Sequence, residues 1–285
     1  MIYISSVAFG NITLKELVEQ TNLYNLNVEL SANIKYEKNV KYYLKKIKNN
    51  FLIHNYFPKP NVDFVLNLAS TNETIKKLSI KHCIDNIRVC RQFGIKFFSV
   101  HSGFRFDPLP KQLGQEFTKY NLSSKHKALE LFINSISCIL NETKGSNVSL
   151  LLENNVLTAK NLNVFSENPL LCCTHDDYIK VLEVVKNHRL GVLVDYGHLK
   201  VTANTLNFSI NTFYEELKNK IFLHHLSYNN SFEDQNKVFP NMNELTKIYD
   251  YLINCDCVLE IKNLNIENVL NQLNLFNKFI GGNEN

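Results

Sequence analysis

Four things are missing from this 285-residue chain, and each absence removes a class of protein. There is no glycine-rich turn after the first apolar run. "SSVAFGNITL" holds one glycine, where an open doubly wound nucleotide-binding sheet would usually carry several. There is no C-x-x-C pair either. The seven cysteines are an odd count, and Cys172–Cys173 and Cys255/Cys257 have neither zinc-site nor thioredoxin-like spacing, so reduced and mostly buried thiols are expected. No stretch approaches the roughly 18 uninterrupted apolar residues of a membrane span, and "MIYISSVAF" has no basic leader ahead of an apolar run. The expectation is a cytoplasmic chain with no membrane partner. Finally, no proline- or serine-rich linker interrupts the sequence, which argues for one domain over 1–285. A net charge of +4, with asparagine and lysine spread over the whole length, names no partner and does not call for nucleic acid.

What is present is a rhythm. Short β-rich runs recur as "MIYIS", "LNVELS", "NNFLIHN", "IKFFSVH", "NVSLLLEN", "LGVLVDYG", "KIFLHHLS" and "CDCVLEIK". Between them lie stretches of helical periodicity, such as "TLKELVEQTNLY", "NETIKKLSIKHCIDNIRVCRQFG", "SSKHKALELFINSISCILNETKG", "THDDYIKVLEVVKNH" and "MNELTKIYDYLIN". Thr13 and Thr71 stand as N-caps, and Gly94 and Gly145 as C-terminal stops. Strands apolar on both faces, alternating with helices, indicate a parallel sheet covered on both sides. Eight such units close a barrel. The fold class is therefore α/β, a single-domain (β/α)8 TIM barrel.

The residues that end the runs are the unusual part. The second run ends at Glu29, the third at His54, the fourth at His101 and the fifth at Glu153. The sixth ends at Asp195 with His198 three residues on, the seventh at His224/His225, and the eighth at Glu260. Carboxylates and imidazoles beside Val, Leu and Phe are costly unless paired or bound to a metal. In a barrel the C-terminal strand ends converge on one mouth, where active sites of this fold are built. Such a cluster has the ligand types for Zn, Mn, Co or Fe.

These motifs resemble the xylose isomerase-like TIM-barrel superfamily, which includes sugar isomerases and epimerases, inosose dehydratases and the endonuclease IV family. "LLLEN" is similar to its fifth-strand Glu motif, "LVDYGH" to the sixth-strand D-x-x-H, "HHLSYNN" to the seventh-strand H-L-S, and "VLEIK" to the eighth-strand Glu. The resemblance covers essentially the whole chain. It implies one divalent ion (Mn, Co, Zn or Fe) held by Glu153, Asp195, His225 and Glu260. Alternation along a strand lets only one of His224 and His225 face the interior. The resemblance selects His225 and directs His224 at the helix layer or a neighbouring loop.

The sugar enzymes of this superfamily hold adjacent sugar oxygens on the metal, stabilise an enediolate and move a carbon-bound proton with carboxylates. The resemblance thus implies a metal-dependent isomerase or epimerase of a sugar, sugar phosphate or sugar derivative, in carbohydrate metabolism. Glu153 and Glu260 would be the catalytic carboxylates, and His54, His101 and His198 substrate contacts. "HNYFPKPNVDF" adds Tyr56 and Phe57 as stacking surfaces with Lys59 as an anion contact, and "HSGFRFDPLP" adds Arg105. The partner would be a small-molecule sugar or derivative; a homo-oligomer is left open.

The alternative is an endonuclease IV-like zinc phosphodiesterase acting on abasic DNA, in which His54, His101 and Glu153 would hold a second ion. In that family an Asp-x-His pair completes a third zinc site. Here Asp234 is followed by Asn236 at the histidine position, and "ENNVLTAKN" lacks the family's glycine. The loops "ELSANIKYEK" and "SYNNSFEDQN" are nearly neutral or acidic, unlike a duplex-binding surface. The sugar pattern has departures as well: the Arg after the seventh-strand His and the second Glu after the fifth-strand Glu of ketose 3-epimerases are both missing. A third reading, an inactive barrel kept as a binding protein, predicts decay of the strand-end charges, whereas all four ligand positions are intact.

Overall fold

The computed structural model describes residues 1–282; residues 283–285, at the end of the expected domain span, lie outside the described residues. The strands are β1 Ile2–Ser5, β2 Val28–Leu30, β3 Phe51–His54, β4 Phe97–His101, β5 Ser149–Glu153, β6 Leu190–Asp195, β7 Ile221–Leu226 and β8 Asp256–Leu259. Each pairs in parallel with the next, and β1 also pairs with β8, so the sheet closes into a barrel. All of the expected β-rich runs are strands. The helices are α1 Leu14–Leu23, α2 Val40–Leu44, α3 Glu73–Phe93, α4 Lys125–Glu142, α5 Ala159–Phe165, α6 His175–Val185, α7 Tyr196–Leu206, α8 Ile210–Leu217, α9 Tyr249–Leu252 and α10 Ile266–Ile280. Among the described residues no helix is long and apolar enough to cross a membrane.

Both faces of the sheet are covered, one by the barrel interior and one by helices. Every position of β6 is accordingly buried, and in β7 only Phe222 is partly exposed. The helices contribute one apolar stripe each. Cys83, Ile87 and Cys90 of α3 and Phe132, Ile136 and Ile139 of α4 recur at the four-then-three spacing of a single helix face. Burying a large side chain in this layer contributes about 1.5–3 kcal/mol. The cysteines form no disulfide, and of the seven only Cys138 is exposed.

Two local features position the site. Strand register sets His101 level with Glu153, Asp195 level with His225, and Ser5 level with Glu29. At the end of β6 the Asp195 carboxylate accepts the backbone N–H of His198 at 2.7 Å, capping α7. That cap is why the D-x-x-H spacing places both side chains in one helical turn. Gly197 within the turn is required by close approach: a Cβ there would lie 2.7 Å from both Ser227 Oγ and Asn229 Nδ2.

Three local expectations are corrected. Asn72, not Thr71, caps α3, its side chain accepting the N–H groups of Thr74 and Ile75. Gly94 does end α3 in the left-handed conformation, but α4 stops at Thr143, ahead of Gly145. The periodic stretch 242–254 is a 3-10 segment, Asn243–Ile248, followed by the four-residue α9. Neither N-cap residue caps with its side chain; instead Asn243 N–H donates to the Asn241 side-chain oxygen and Leu245 N–H to the Met242 carbonyl, both at 3.0 Å, the latter an i to i+3 bond that winds the segment tightly.

Candidate metal centre and active-site cavity

Glu153, at the end of β5, is wholly buried, and neither of its carboxylate oxygens has a hydrogen-bond partner. An unpaired buried carboxylate is strongly disfavoured. What surrounds it is imidazole. Oε2 lies 3.4 Å from His54 Nε2 and 3.3 Å from His101 Nδ1, while Oε1 lies 3.4 Å from His198 Nδ1 and 3.7 Å from His225 Nδ1. Ligand atoms on a tetrahedral ion with bonds of about 2.0–2.2 Å stand about 3.4 Å from one another, so the orphaned carboxylate and its neighbours have the spacing of a metal shell. Two donor sets share Glu153. One is His54, His101 and Glu153; the other is Glu153, Asp195, His225 and Glu260, with the donor atoms of each set within 4.8 Å of one another. Mixed imidazole and carboxylate donors of this kind fit a divalent transition ion.

Three of the four rings are oriented by hydrogen bonds. His54 Nδ1 is 2.9 Å from Ser99 Oγ, which leaves Nε2 facing Glu153. His198 Nδ1 is 3.1 Å from the carbonyl of Asn154, which can only accept, so this nitrogen carries a proton and Nε2 faces Asp234 Oδ2 at 3.6 Å. His225 is turned the other way: Nδ1 lies 2.8 Å from Glu260 Oε2 and Nε2 lies 3.0 Å from Glu29 Oε2. Glu29 was noted in the sequence as a strand-ending carboxylate without a role. Here it is wholly buried behind His225, with its other oxygen unpartnered. Its signal in the sequence was a carboxylate between two apolar neighbours at the end of β2.

The charges of the cluster are mutually set. Burial raises the Glu153 carboxyl well above its usual range against the pull of His225 and His198, and pushes Asp195 up to about 6. Burial acts the same way on Glu260, but the adjacent His225, by charge and hydrogen bond, holds it below the usual carboxylate range. Burial alone would discharge His225 and His198. Glu29 and Glu260 around the first, and Asp195 and Asp234 around the second, raise both instead. His101 is lowered to about 4 by burial and by the charge on His198. His224 lies on the opposite face of β7, away from this cluster. It stacks on Tyr214 of α8 with ring centroids 5.8 Å apart, and burial lowers it to about 3.

Over the cluster lies a cavity of about 730 Å3, with His54, Tyr56, His101, His198, Asp234 and Glu260 in its wall. Phe104 and Phe117 also line it and belong to an aromatic cluster with Phe106, Tyr120 and Phe165 that roofs one side. Tyr56 lies on the wall, its hydroxyl accepting the N–H of Leu66. Three residues expected to line it are elsewhere. Phe57 is buried in the main core. Arg105 is outside the cavity lining, its guanidinium donating to the carbonyls of Ser123 and Asn168 and to Glu167 at 2.7–2.9 Å. It ties the β4–α4 loop to the segment before α6. Lys59 lines a neighbouring cleft. Asn236 is buried in the cavity wall with its side-chain oxygen unpartnered, beside Asp234.

A closed parallel barrel that gathers His54, His101 and His225 with Glu153, Asp195 and Glu260 at its C-terminal mouth defines a class of (β/α)8 proteins with a candidate metal centre. The chain belongs to the xylose isomerase-like TIM-barrel family, whose model matches residues 18–250. In sequence it is similar to the probable endonuclease 4 of Aquifex aeolicus (strain VF5), 26% identical over 169 residues, which are 59% of this chain and 48% of that protein. The match thus spans about half the length of that curated relative. Among solved structures it is similar to a D-tagatose 3-epimerase-like protein, with TM-score 0.71 and 19% identity over 98% of this chain and 97% of that one. It is also similar to the IOLI protein with a bound zinc atom, with TM-score 0.65 and 11% identity over 98% of each chain. At these identities the solved structures speak for the fold.

Proposed function

We propose that the chain is a divalent-metal-dependent isomerase or epimerase of a sugar or sugar derivative. The observation that carries this reading is the cavity. It is of small-molecule size, has an aromatic roof, and four carboxylates, Glu116, Glu233, Asp234 and Glu260, face it against Lys160 and Lys262. Such a wall suits the hydroxyl-bearing, uncharged part of a sugar. A bound divalent ion would be held by Glu153, Asp195, His225 and Glu260 and would acidify a carbon-bound proton beside a carbonyl. Of the carboxylates in that donor set, Glu260 also lines the cavity, which puts it in reach of a bound sugar for proton transfer. His198, with Nδ1 tied to Asn154, turns Nε2 toward the cavity as a contact for a substrate hydroxyl.

Phosphodiester hydrolysis is favoured by one feature, the second donor set of His54 and His101 on Glu153, since a carboxylate shared by two ions is a familiar hydrolytic arrangement. Metal-reconstituted protein incubated with a panel of free, phosphorylated and nucleotide-linked sugars, and separately with an abasic-site duplex, distinguishes the two. The proposal expects an isomeric sugar product and an intact duplex. Strand cleavage with no sugar converted contradicts it.

A further inference from the structure

We infer that the substrate carries a phosphoryl group and that a cleft built by Lys35, Lys59 and Lys262, beside the metal cavity, receives it. This inference rests on the sugar reading and narrows it to phosphorylated substrates.

The cleft has a volume of about 440 Å3 and no aspartate or glutamate in its lining; Asn11, Asn263 and Tyr36 complete its polar wall. Its residues come from loops that follow β1, β2, β3 and β8, so it opens on the same C-terminal face as the metal cluster. It is also continuous with the cavity, because Ala32 and Lys262 line both. The two spaces have opposite character. Four carboxylates face the cavity, whereas three ammonium groups and no carboxylate face the cleft. A sugar at the metal with its anionic end directed past Ala32 meets both environments correctly.

The cations are free to act. Lys262 is 3.8 Å from Asp234 and Lys59 is 4.0 Å from Asp63, long pairs between side chains that are partly exposed and therefore weak. Among the described residues Lys35 has no carboxylate within 4.0 Å, and the side chains of Asn11 and Asn263 make no hydrogen bond. The floor, by contrast, is fully tied. The Asn33 amide donates to the carbonyls of Ser6 and Gly10 at 2.8 and 2.5 Å, the Ser6 hydroxyl donates to Asn33 at 2.6 Å, and Leu264 N–H donates to the Ala8 carbonyl at 2.7 Å. Gly10 turns the chain at a φ of +64°, and a Cβ there would sit 3.4 Å from the Asn263 side-chain oxygen. A preformed concave surface with three point charges and spare amide donors matches the charge and oxygen count of a phosphate or diphosphate. A single carboxylate would need only one of the three lysines.

Of the three lysines the sequence singled out Lys59 alone as an anion contact. "ELSANIKYEK" sums to neutral, but Glu29 is inside the barrel against His225 and neither Glu37 nor Lys38 lines the cleft, which leaves Lys35 there.

The test uses the full chain and the double variant Lys35→Ala/Lys59→Ala, neither residue belonging to the metal cluster. Inorganic phosphate and pyrophosphate are titrated into metal-free protein by calorimetry, and turnover is compared for free sugars, sugar monophosphates and nucleoside diphosphate sugars. The expected result is a tenfold or greater loss of phosphate and pyrophosphate affinity in the variant at unchanged metal content. The ratio of kcat/KM for phosphorylated over free sugar should fall by a similar factor. The arm in which that ratio falls, monophosphate or nucleotide sugar, identifies the source of the phosphoryl group. If sugars turn over but the variant binds phosphate as wild type does, the cleft inference is overturned and the isomerase reading stands. If the variant loses phosphate while no sugar reacts, the anion site stands and the isomerase reading falls. Loss of abasic-duplex binding in the variant, with phosphate and sugar phosphate unaffected, overturns the inference in favour of a nucleic-acid track.

Discussion

Replacing Glu29 with glutamine keeps the shape of the side chain and removes the charge behind His225. In the native barrel the Glu29 carboxylate sits 3.0 Å from His225 Nε2, so that nitrogen donates outward and Nδ1 is presented to Glu153 and Glu260. A carboxylate in this position fixes ring orientation and raises ligand basicity, and removing such a partner lowers metal affinity by roughly 10–100-fold. That corresponds to about 1.4–2.8 kcal/mol. The glutamine oxygen still accepts from Nε2, so Glu29→Ala, which removes the acceptor and leaves a cavity, should lie at the upper end of the range or beyond it. The assay is competition for zinc or cobalt against a chromophoric chelator, with circular dichroism to show that each variant is folded. Affinity of Glu29→Gln within twofold of wild type would refute the reasoning. So would loss of a whole metal equivalent, which would make Glu29 a ligand and not the support of one.

His224→Phe should leave metal content unchanged, whereas His225→Ala should strip the ion bound through Glu260. The reverse pattern would mean that β7 is displaced by one residue. The same substitution tests pH dependence. A histidine lowered to about 3 in the fold from 6.5 binds more protons when unfolded, so its contribution to stability is full above pH 6.5 and is lost as the pH falls toward 3. Chelator-treated wild type should therefore lose about 1.4 kcal/mol per pH unit more than His224→Phe over that window, and equal slopes in denaturant titrations would contradict it. Arg105→Ala should cost about 2–4 kcal/mol, because a buried guanidinium bonded to Ser123, Glu167 and Asn168 is lost. Faster limited proteolysis within 105–123 at unchanged metal content checks this; unchanged cleavage with lost metal would return Arg105 to the site.

The barrel was readable because its signal is repeated. Buried parallel strands are apolar on both faces, so polar residues at the ends of β2 to β8 stand out against Val, Leu and Phe, and they gather at one mouth. What could not be read depended on partners distant in the chain. Glu29 meets a histidine 196 residues away, and Arg105 meets Glu167 at a separation of 62. No local pattern encodes either. His224 and His225 are adjacent, and alternation says only that they face opposite ways; the choice rested on resemblance. The helix expected over 242–254 had the right periodicity but no N-cap residue that caps with its side chain, and its residues form a 3-10 segment and one turn of α-helix instead. Loop charge misled by averaging, since a carboxylate inside the barrel cancelled on paper a lysine that faces the cleft.

The most direct measurement is isotope exchange. An isomerase or epimerase must break a C–H bond and can trade that proton with solvent through Glu153 or Glu260, whereas hydrolysis of a phosphodiester leaves carbon-bound hydrogens in place. Metal-loaded protein is incubated in heavy water with free, phosphorylated and nucleotide-linked sugars, and each sugar is recovered for mass analysis. Deuterium at one carbon of one sugar class is the predicted result, absent with Glu260→Gln. No deuterium in any sugar, together with cleavage of an abasic-site duplex, would contradict it.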